Sequence, residues 1–527
     1  MSVGRGKKGV CVVNDDSRPE CAKCGGFCKS NGHEWKCTDC GKRIRKKANL
    51  KNIEEAGFAK AGYDVESAEQ RAKSIKAKYK KGCRSFVVTS AQNNTGEFKA
   101  FLKALKVYCK QRKAELIVIP VHYKNANSWN KDTEKQWSGE LEPYLVHGDI
   151  SLGHVLIRSH IKIEAPSINP LQGKQSHGGN KWTVFGNAQH AMEPVATPAD
   201  LMPKRMYTTG SVTKRNYSQS DRGAKADFNH VFGALTINFV KGSDIPFIRQ
   251  LNSDDMGNFY DLDKRYTPKG ITKDHRIKAL TTGDEHVMHN IVAKETYLAK
   301  NSIAKKLKPE YIVRHDVLDG YAGSHHHEKM PLVQFKKFIE GTNCYRSELN
   351  ECIRFIDKTT PAYSTNILVD SNHHSHLDKW LDRANPNKDF TNTELIHELR
   401  ALQFDNIRNK IDKNAFQIYL EPRLKSKTRF IGRNEHFLIG DVDVSQHGDV
   451  GANGSRGSAN GLAKSTYKMT IGHSHSARIV KGVYQVGTST GKLEYEQGLS
   501  DHSNTHCIQY KNGKRTLLDI INGKWCE

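Results

Sequence analysis

The stretch Ser85–Pro120, "SFVVTSAQNNTGEFKAFLKALKVYCKQRKAELIVIP", decides the fold class of this chain. Phe86 to Val88 form a short apolar run of strand-forming residues. Phe98, Phe101, Leu102, Leu105 and Val107 follow at the spacing of one helix face, and Leu116 to Ile119 make a second apolar run. Strand, helix, strand in this order is a βαβ unit with parallel strands. An α/β protein is therefore expected. The loop Thr89–Gly96 lies at the carboxyl end of the first strand, where α/β proteins place ligands. It lacks the lysine of a phosphate-binding loop and carries no carboxylate or histidine, so it reads as a capped helix start.

Length, charge and cysteine usage narrow the class. With 527 residues the chain has room for two or three domains and a large core. It carries 82 Lys and Arg against 57 Asp and Glu, a net charge of +25 whose excess is densest before residue 80. Such a surface draws a polyanion by steering and counterion release, and DNA is the expected partner. There is no long apolar run to cross a membrane. The basic start "MSVGRGKKGV" leads into polar text where a signal peptide would be apolar, so a cytoplasmic protein with no membrane partner is expected.

Six of the 12 cysteines fall within the first 40 residues. "CAKCGGFCKSNGHEWKCTDCGKRIRKKAN" contains Cys21, Cys24, Cys37 and Cys40 as two C-x-x-C pairs. Four thiolates at this spacing suit one tetrahedral structural Zn²⁺, and Gly25, Gly26 and Gly41 permit the backbone turns of such knuckles. A zinc ribbon is expected here. The cationic run behind it, with Lys42, Arg43, Arg45, Lys46 and Lys47, suits contact with nucleic-acid phosphates. Residues 51–80 read as a polar helix serving as a tether.

The text from 121 to 270 is less informative. His147, Asp149, His154 and His160 fit no trusted ligand spacing. "KRMYTTGSVTKRNYSQSDRGAK", Lys204–Lys225, mixes Lys214 and Arg215 with Tyr207 and Tyr217. That mixture suits phosphate contacts with aromatic stacking, and an ordinary basic loop fits it equally well.

Beyond residue 275 a pattern repeats, in which an apolar run ends in a loop rich in Asp, Asn or His. "KALTTGDEHVMH" supplies Asp284 and His286, and "EYIVRHDVLDG" supplies Asp316 and Asp319. "NILVDSNHHSHLDKW" supplies Asn372 and His373 ahead of a helix. "HFLIGDVDVSQHGD" supplies His447, and "MTIGHSHSA" supplies His473 and His475. Mixed carboxylate, amide and imidazole ligands of this kind suit a pair of divalent cations. "SHHHE" at 324–328 reads as solvated, and the glycine-rich run His447–Gly461, with Arg456, reads as a flexible loop that packs as neither helix nor strand.

In this order the five blocks resemble the calcineurin-like metallophosphoesterases, whose signature runs D-x-H, G-D-x-x-D, G-N-H-[DE], H and G-H-x-H. The resemblance covers roughly 275–495. It implies a layered sheet core with flanking helices and a two-metal hydrolytic site, with Mn²⁺ ahead of Mg²⁺ as the catalytic ions. Asp284, His286 and His475 would hold one metal, Asn372, His447 and His473 the other, and Asp316 would bridge them. His373 would act at the transition state or the leaving oxygen, and Asp319 would orient a histidine. Three positions depart from the signature: His315 and Ser371 stand where the family has Gly, and His374 stands where it has an acidic residue.

The resulting plan has a zinc ribbon with basic tail over 1–48, a helical linker over 49–82, an α/β middle domain over 83–272 and a metallophosphoesterase catalytic domain over 273–527. The basic additions favour DNA as substrate, with chemistry similar to the SbcD-type nucleases and a homo-oligomer of open symmetry. The whole-chain arrangement also resembles the pre-early nucleases with which T5-like phages degrade host DNA. Two rivals are a metallophosphatase acting on nucleotides or phosphoproteins and a DNA-binding protein that has lost catalysis.

Overall fold

The computed structural model describes residues 64–122, 136–198, 201–493 and 496–527, together with the backbone of four short strands ahead of them, Cys28–Ser30, Glu34–Cys37, Arg43–Arg45 and Lys60–Gly62. The first three of these strands form an antiparallel sheet with Cys28 opposite Cys37 and Glu34 opposite Arg45. Cys21, Cys24, Cys40, Lys42, Lys46, Lys47 and the side chains of Cys37, Arg43 and Arg45 lie outside the described residues.

The βαβ unit is present. Strand Ser85–Gln92 runs parallel to Glu115–Val121, with Phe86 beside Glu115, and helix Lys99–Arg112 joins them. Strand residues alternate between two cores, as the pleat requires. Val87, Ala91 and Val118 pack on Phe101, Leu102 and Leu105 of the helix. Phe86, Val88, Ile117 and Ile119 face the other way, into the largest core of the protein. The loop does not cap the helix as expected. Phe98 stands at the N-cap, and its phenyl ring offers no acceptor for the first N–H groups; Asn94, in the loop, accepts from the Gln136 N–H at 3.1 Å.

Strands Gly233–Phe239 and Pro246–Asn252 extend this unit to a four-stranded sheet. A six-stranded sheet lies beside it. Its order is Thr428–Ile431, Thr365–Val369, Tyr311–Arg314, Ala279–Thr281, Thr505–Gln509 and Arg515–Asp519, the first four strands parallel and the last two antiparallel. Side chains join the two edges: the Gln250 N–H donates to Thr516 Oγ1 at 2.9 Å and Asn252 Nδ2 donates to the Arg515 carbonyl at 2.7 Å. Helices Tyr345–Thr359, Asn372–Arg383, Thr393–Arg408 and Ala415–Leu420 bury Leu349, Ile356, Leu377, Leu399 and Phe416 on the outer side of the six-stranded sheet, around Leu368.

A ten-stranded sheet forms the second layer. It gathers strands from Asp149–Thr208 and from Leu438–Gln485, and these halves meet where Met192 pairs with Ile479. Its Ile157, Trp182, Val184 and Ile479 close the main core against the first layer. A separate group, Ala279, Val313, Ile367, Val369 and Val442, packs between the parallel strands and the far end of this sheet. The chain is thus a mixed α/β protein built on two stacked sheet layers with helices outside.

Strand Lys204–Thr208 runs through the middle of that sheet. Tyr207 is buried there beside Trp182, with ring centroids 6.0 Å apart, so it offers no face for stacking. Arg205 is buried with it and pairs with Asp519 at 2.6 Å, which removes its charge from the surface. Lys214 and Arg215 are exposed, at the end of the four-stranded sheet that holds the loop after Gln92. Helix Val65–Lys80 sets Ala72 and Ile75 into the main core. It is held by packing as well as by the chain.

Candidate metal centre

Every block singled out beyond residue 275 follows a strand. Asp284 and His286 follow Ala279–Thr281, Asp316 and Asp319 follow Tyr311–Arg314, and Asn372 opens the helix after Thr365–Val369. His447 follows Val442–Asp443, and His473 and His475 follow Met469–Ile471 of the ten-stranded sheet. The carboxyl ends of strands from both layers converge, the usual place for a ligand in a parallel sheet.

Backbone bonds zip these loops together. The N–H groups of Glu285, His286 and Val287 donate to the carbonyls of His315, Asp316 and Val317 at 3.0, 2.7 and 3.1 Å. In the second layer the Gly472 N–H donates to the His447 carbonyl at 2.7 Å. Beneath them Arg314 pairs with both oxygens of Glu285, at 2.8 and 2.9 Å, and both residues are buried. Four candidate ligands adopt left-handed backbone, His286 at φ 34°, Asp316 at 41°, His473 at 75° and His475 at 57°. Each such residue costs on the order of 1–3 kcal/mol and persists where surrounding structure enforces it, often at functional sites.

The ligating atoms of Asp284, His286, Asp316 and His475 all lie within 4.8 Å of one another, and all four residues are buried. His286 Nε2 is 3.1 Å from His475 Nε2, which is 3.3 Å from Asp284 Oδ2; His286 Nε2 is 3.9 Å from Asp316 Oδ2. Atoms bound to one ion at about 2.0–2.2 Å stand roughly 3.0–3.4 Å apart, so most of this spacing is that of shared ligands. Asp319 Oδ1 lies 3.0 Å from His286 Nδ1. A proton held on Nδ1 by that carboxylate leaves the Nε2 lone pair for a cation. Asp284 Oδ1, Asp316 Oδ1 and Asn372 Oδ1 are buried without a hydrogen-bond partner, and buried oxygens of this kind call for a counter-ion. The residues therefore fit a divalent cation.

The other half of the constellation adjoins it across Asp316. His447 Nε2 is 3.0 Å from Asp316 Oδ2, and the His447 and His473 rings are 5.2 Å apart. Burial alone would depress His447, but Asp316 outweighs it and lifts the imidazole to about 9. Against its own burial, Asp316 is held well below the usual carboxylate range, chiefly by His447. A carboxylate and an imidazole coupled in this way are both groups whose charge a bound divalent cation would take over. His473 is pushed down by burial and by the charge of His447. His373 Nδ1 is 2.6 Å from the Asp319 carbonyl and its ring is 4.6 Å from that of His286. Burial opposes it, but hydrogen bonding to His286 and His289 keeps Asp319 far below its ordinary value.

The three departures from the signature have local reasons. Ser371 caps the helix Asn372–Arg383 by accepting from the His374 N–H at 3.3 Å. His374 stacks on Phe416 with centroids 4.0 Å apart and lies 3.6 Å from Asp370. His315 packs against His447, with Nδ1 atoms 3.4 Å apart, and is pushed down to about 4 by burial and by the His447 charge.

Some neighbours were not legible. His289 reaches to 3.7 Å from Asp319, and the His502 ring stands 5.0 Å from that of His475; His289, three residues after His286, carried a signal by its nearness to a ligand block, and His502 carried none. His325 and His326 are exposed and belong to no ligand group among the described residues. The run His447–Gly461 is folded, correcting the flexible-loop reading. Val450 pairs with Arg456, and Gly457 passes so close to the Gly448 carbonyl that a Cβ would lie 2.0 Å from it. Glycine permits that approach, while Arg456 remains exposed.

Fold and site together define a mixed α/β protein with a buried Asp and His group able to hold a divalent cation, an arrangement compatible with a metal-dependent enzyme. The chain belongs to the family of Protein A1 of Escherichia phage T5, to which it is 31% identical over 463 residues covering 84% of this chain and 83% of that protein. No protein-family profile matches it, and no solved structure is similar to it. Among the described residues no helix is long and apolar enough to cross a membrane.

Proposed function

We propose that the chain is a metal-dependent DNA nuclease of the metallophosphoesterase type, an exonuclease that degrades host DNA in the cytoplasm of a phage-infected cell. The convergence of Asp284, His286, Asp316 and His475, with buried carboxylate oxygens left unpartnered, carries this reading. Asp284, His286 and His475 would hold one ion, Asn372, His447 and His473 a second, and Asp316 both. Bound there, Mn²⁺ or Mg²⁺ would neutralise the phosphodiester and acidify an attacking water. A carbonyl only accepts, so His373 Nδ1 carries the hydrogen toward Asp319, and Nε2 would be the nitrogen that passes a proton to the leaving oxygen. Asp319 orients both His286 and the loop that fixes His373.

A polymeric substrate is supported by the net charge of +25 and the exposed Lys214 and Arg215. The cationic run Lys42, Arg43, Arg45, Lys46 and Lys47 behind a zinc-bound Cys21, Cys24, Cys37 and Cys40 would add a docking module. The phage relative favours a role during phage infection. A homo-oligomer fits the helix Pro331–Glu340, which leaves Leu332, Phe335, Phe338 and Ile339 exposed. The test is digestion of linear and closed-circular DNA with Mn²⁺, with Mg²⁺ and with chelator. Loss of linear DNA alone is expected. Nicked circles would replace exonuclease by endonuclease, and equal cutting by Asp316→Ala, His475→Ala and the parent would overturn the site.

A further inference from the structure

A groove of about 230 Å³ opens beside the metal centre. Its walls share backbone with the ligand loops. Thr488 bridges Asp284 and donates its hydroxyl to the Asp284 carbonyl at 3.1 Å, and the Ser503 N–H donates to the His475 carbonyl at 3.1 Å. Where groove and centre meet, the His502 ring stands edge-on to His475 with its Nδ1 2.9 Å from Glu496 Oε1.

The chemistry of the lining selects a ligand. Asn504 spends both amide hydrogens on the carbonyls of Thr488 and Thr490, at 3.0 and 2.8 Å, and the hydroxyls of Thr488 and Thr490 bond each other at 2.9 Å. The wall is therefore preformed, with little of its polarity left over for an anion. What the groove does offer is apolar surface and a cation: Leu201 and Ile291 line it while 58% and 62% exposed, and Lys492 lines it without an ion-pair partner among the described residues. Exposed apolar side chains at the mouth of the groove can pack against the face of a nucleobase, and Lys492 suits the phosphate attached to it. The volume falls below the ~300–1,000 Å³ of drug-sized ligand sites and far below what a duplex needs.

We infer that this groove is a subsite for one unpaired nucleotide of the DNA strand next to the scissile phosphate, with Ile291 and Leu201 against the base, Lys492 at its phosphate and His502, held by Glu496, as the positioning residue at the junction. This rests on the nuclease reading and adds to it that the centre receives single-stranded DNA one nucleotide at a time.

The experiment compares a single-stranded oligothymidylate with the small phosphodiester bis(p-nitrophenyl) phosphate, for the parent, Ile291→Ala, Lys492→Ala and the distant control Phe404→Ala. The ratio of kcat/KM for oligonucleotide to kcat/KM for small diester should fall about tenfold in the groove variants, through KM, and stay at the parent value in the control. Anisotropy of the fluorescein-labelled oligonucleotide, in chelator, should show the same order of weakening. An unchanged ratio with both substrates cut would overturn the subsite and leave the nuclease standing. Failure of the parent to cut either substrate would instead overturn the nuclease, and tighter binding of duplex than of single strand in chelator would overturn the unpaired nucleotide.

Discussion

Gly472 approaches Asp284 so closely that a Cβ on the glycine would lie 2.2 Å from Asp284 Oδ1. The glycine ahead of the two histidines thus makes room for a carboxylate from the other sheet layer. In Gly472→Ala the severest clash falls on the end of the Asp284 side chain, with His315 Cγ and Cβ at 3.0 and 3.1 Å close behind, so Asp284 must swing aside and His315 give slightly. We expect kcat/KM on DNA to fall ~100-fold or more, as for other small misplacements of catalytic groups, with an unchanged circular dichroism spectrum.

Removing the metal should be visible in stability. The unpartnered oxygens of Asp284 and Asp316 are costly in the metal-free fold. Mn²⁺ added to chelated protein at ~100 times its Kd should contribute about 2.7 kcal/mol, read as a rise in Tm of a few degrees. Asp284→Asn should lose most of that rise, and a rise as large as the parent's would put the ion elsewhere.

Much of this centre was legible because each ligand block ends a strand, and parallel strands put their carboxyl ends side by side. The βαβ unit was legible for the same local reason, since its helix and strands carry their own periodicity. The ten-stranded sheet was hidden. Met192 and Ile479 pair across most of the chain, and strands of two to five residues are too short for a pattern. The buried strand Lys204–Thr208 was masked by its Lys and Arg, because nothing near Arg205 in sequence announces its partner Asp519. His502 and Arg433 share that problem: their partners are remote, and no motif spacing marks them.

Arg433 joins the loops that bear Asn372 and His447, two of the ligands proposed for a second ion. Its guanidinium meets both oxygens of Asp449 at 2.7 Å and lies 3.4 Å from Asp370 Oδ2. Asp449 stands two residues after His447, and Asp370 two before Asn372. The group is partly exposed, so its effect should fall on geometry more than on stability. Arg433→Ala should weaken the second of two Mn²⁺ binding steps in calorimetry and leave the first. Arg433→Lys should rescue poorly, since an ammonium cannot bridge two carboxylates as a planar fork does. Equal loss of both steps would mean general disorder.

The pH response follows from His447, lifted to about 9 in the metal-free site despite its burial. Its folded value lies above the ordinary ~6.5, so it stabilises the metal-free protein fully below about pH 6.5, and that stability is lost as pH rises through 9. In chelator, Tm should therefore fall between pH 7 and 9.5. With Mn²⁺ present the sign reverses, because the ion must displace that proton, and affinity should rise over the same interval with proton release. His447→Gln should flatten both trends.

His373 permits the sharpest test of chemistry. Its Nδ1 is committed to the Asp319 carbonyl at 2.6 Å, so any proton it delivers leaves from Nε2. General acid catalysis contributes typically ~10²–10⁴-fold, and only where the leaving group needs a proton. A deoxyribose hydroxyl needs one, whereas p-nitrophenolate departs readily without. His373→Ala should thus lower kcat on DNA by ~100-fold or more and on bis(p-nitrophenyl) phosphate by much less. The Mn²⁺-induced rise in Tm should persist, separating this loss from loss of the metal. If both substrates slow by the same factor, His373 orients the phosphate instead of protonating the leaving oxygen.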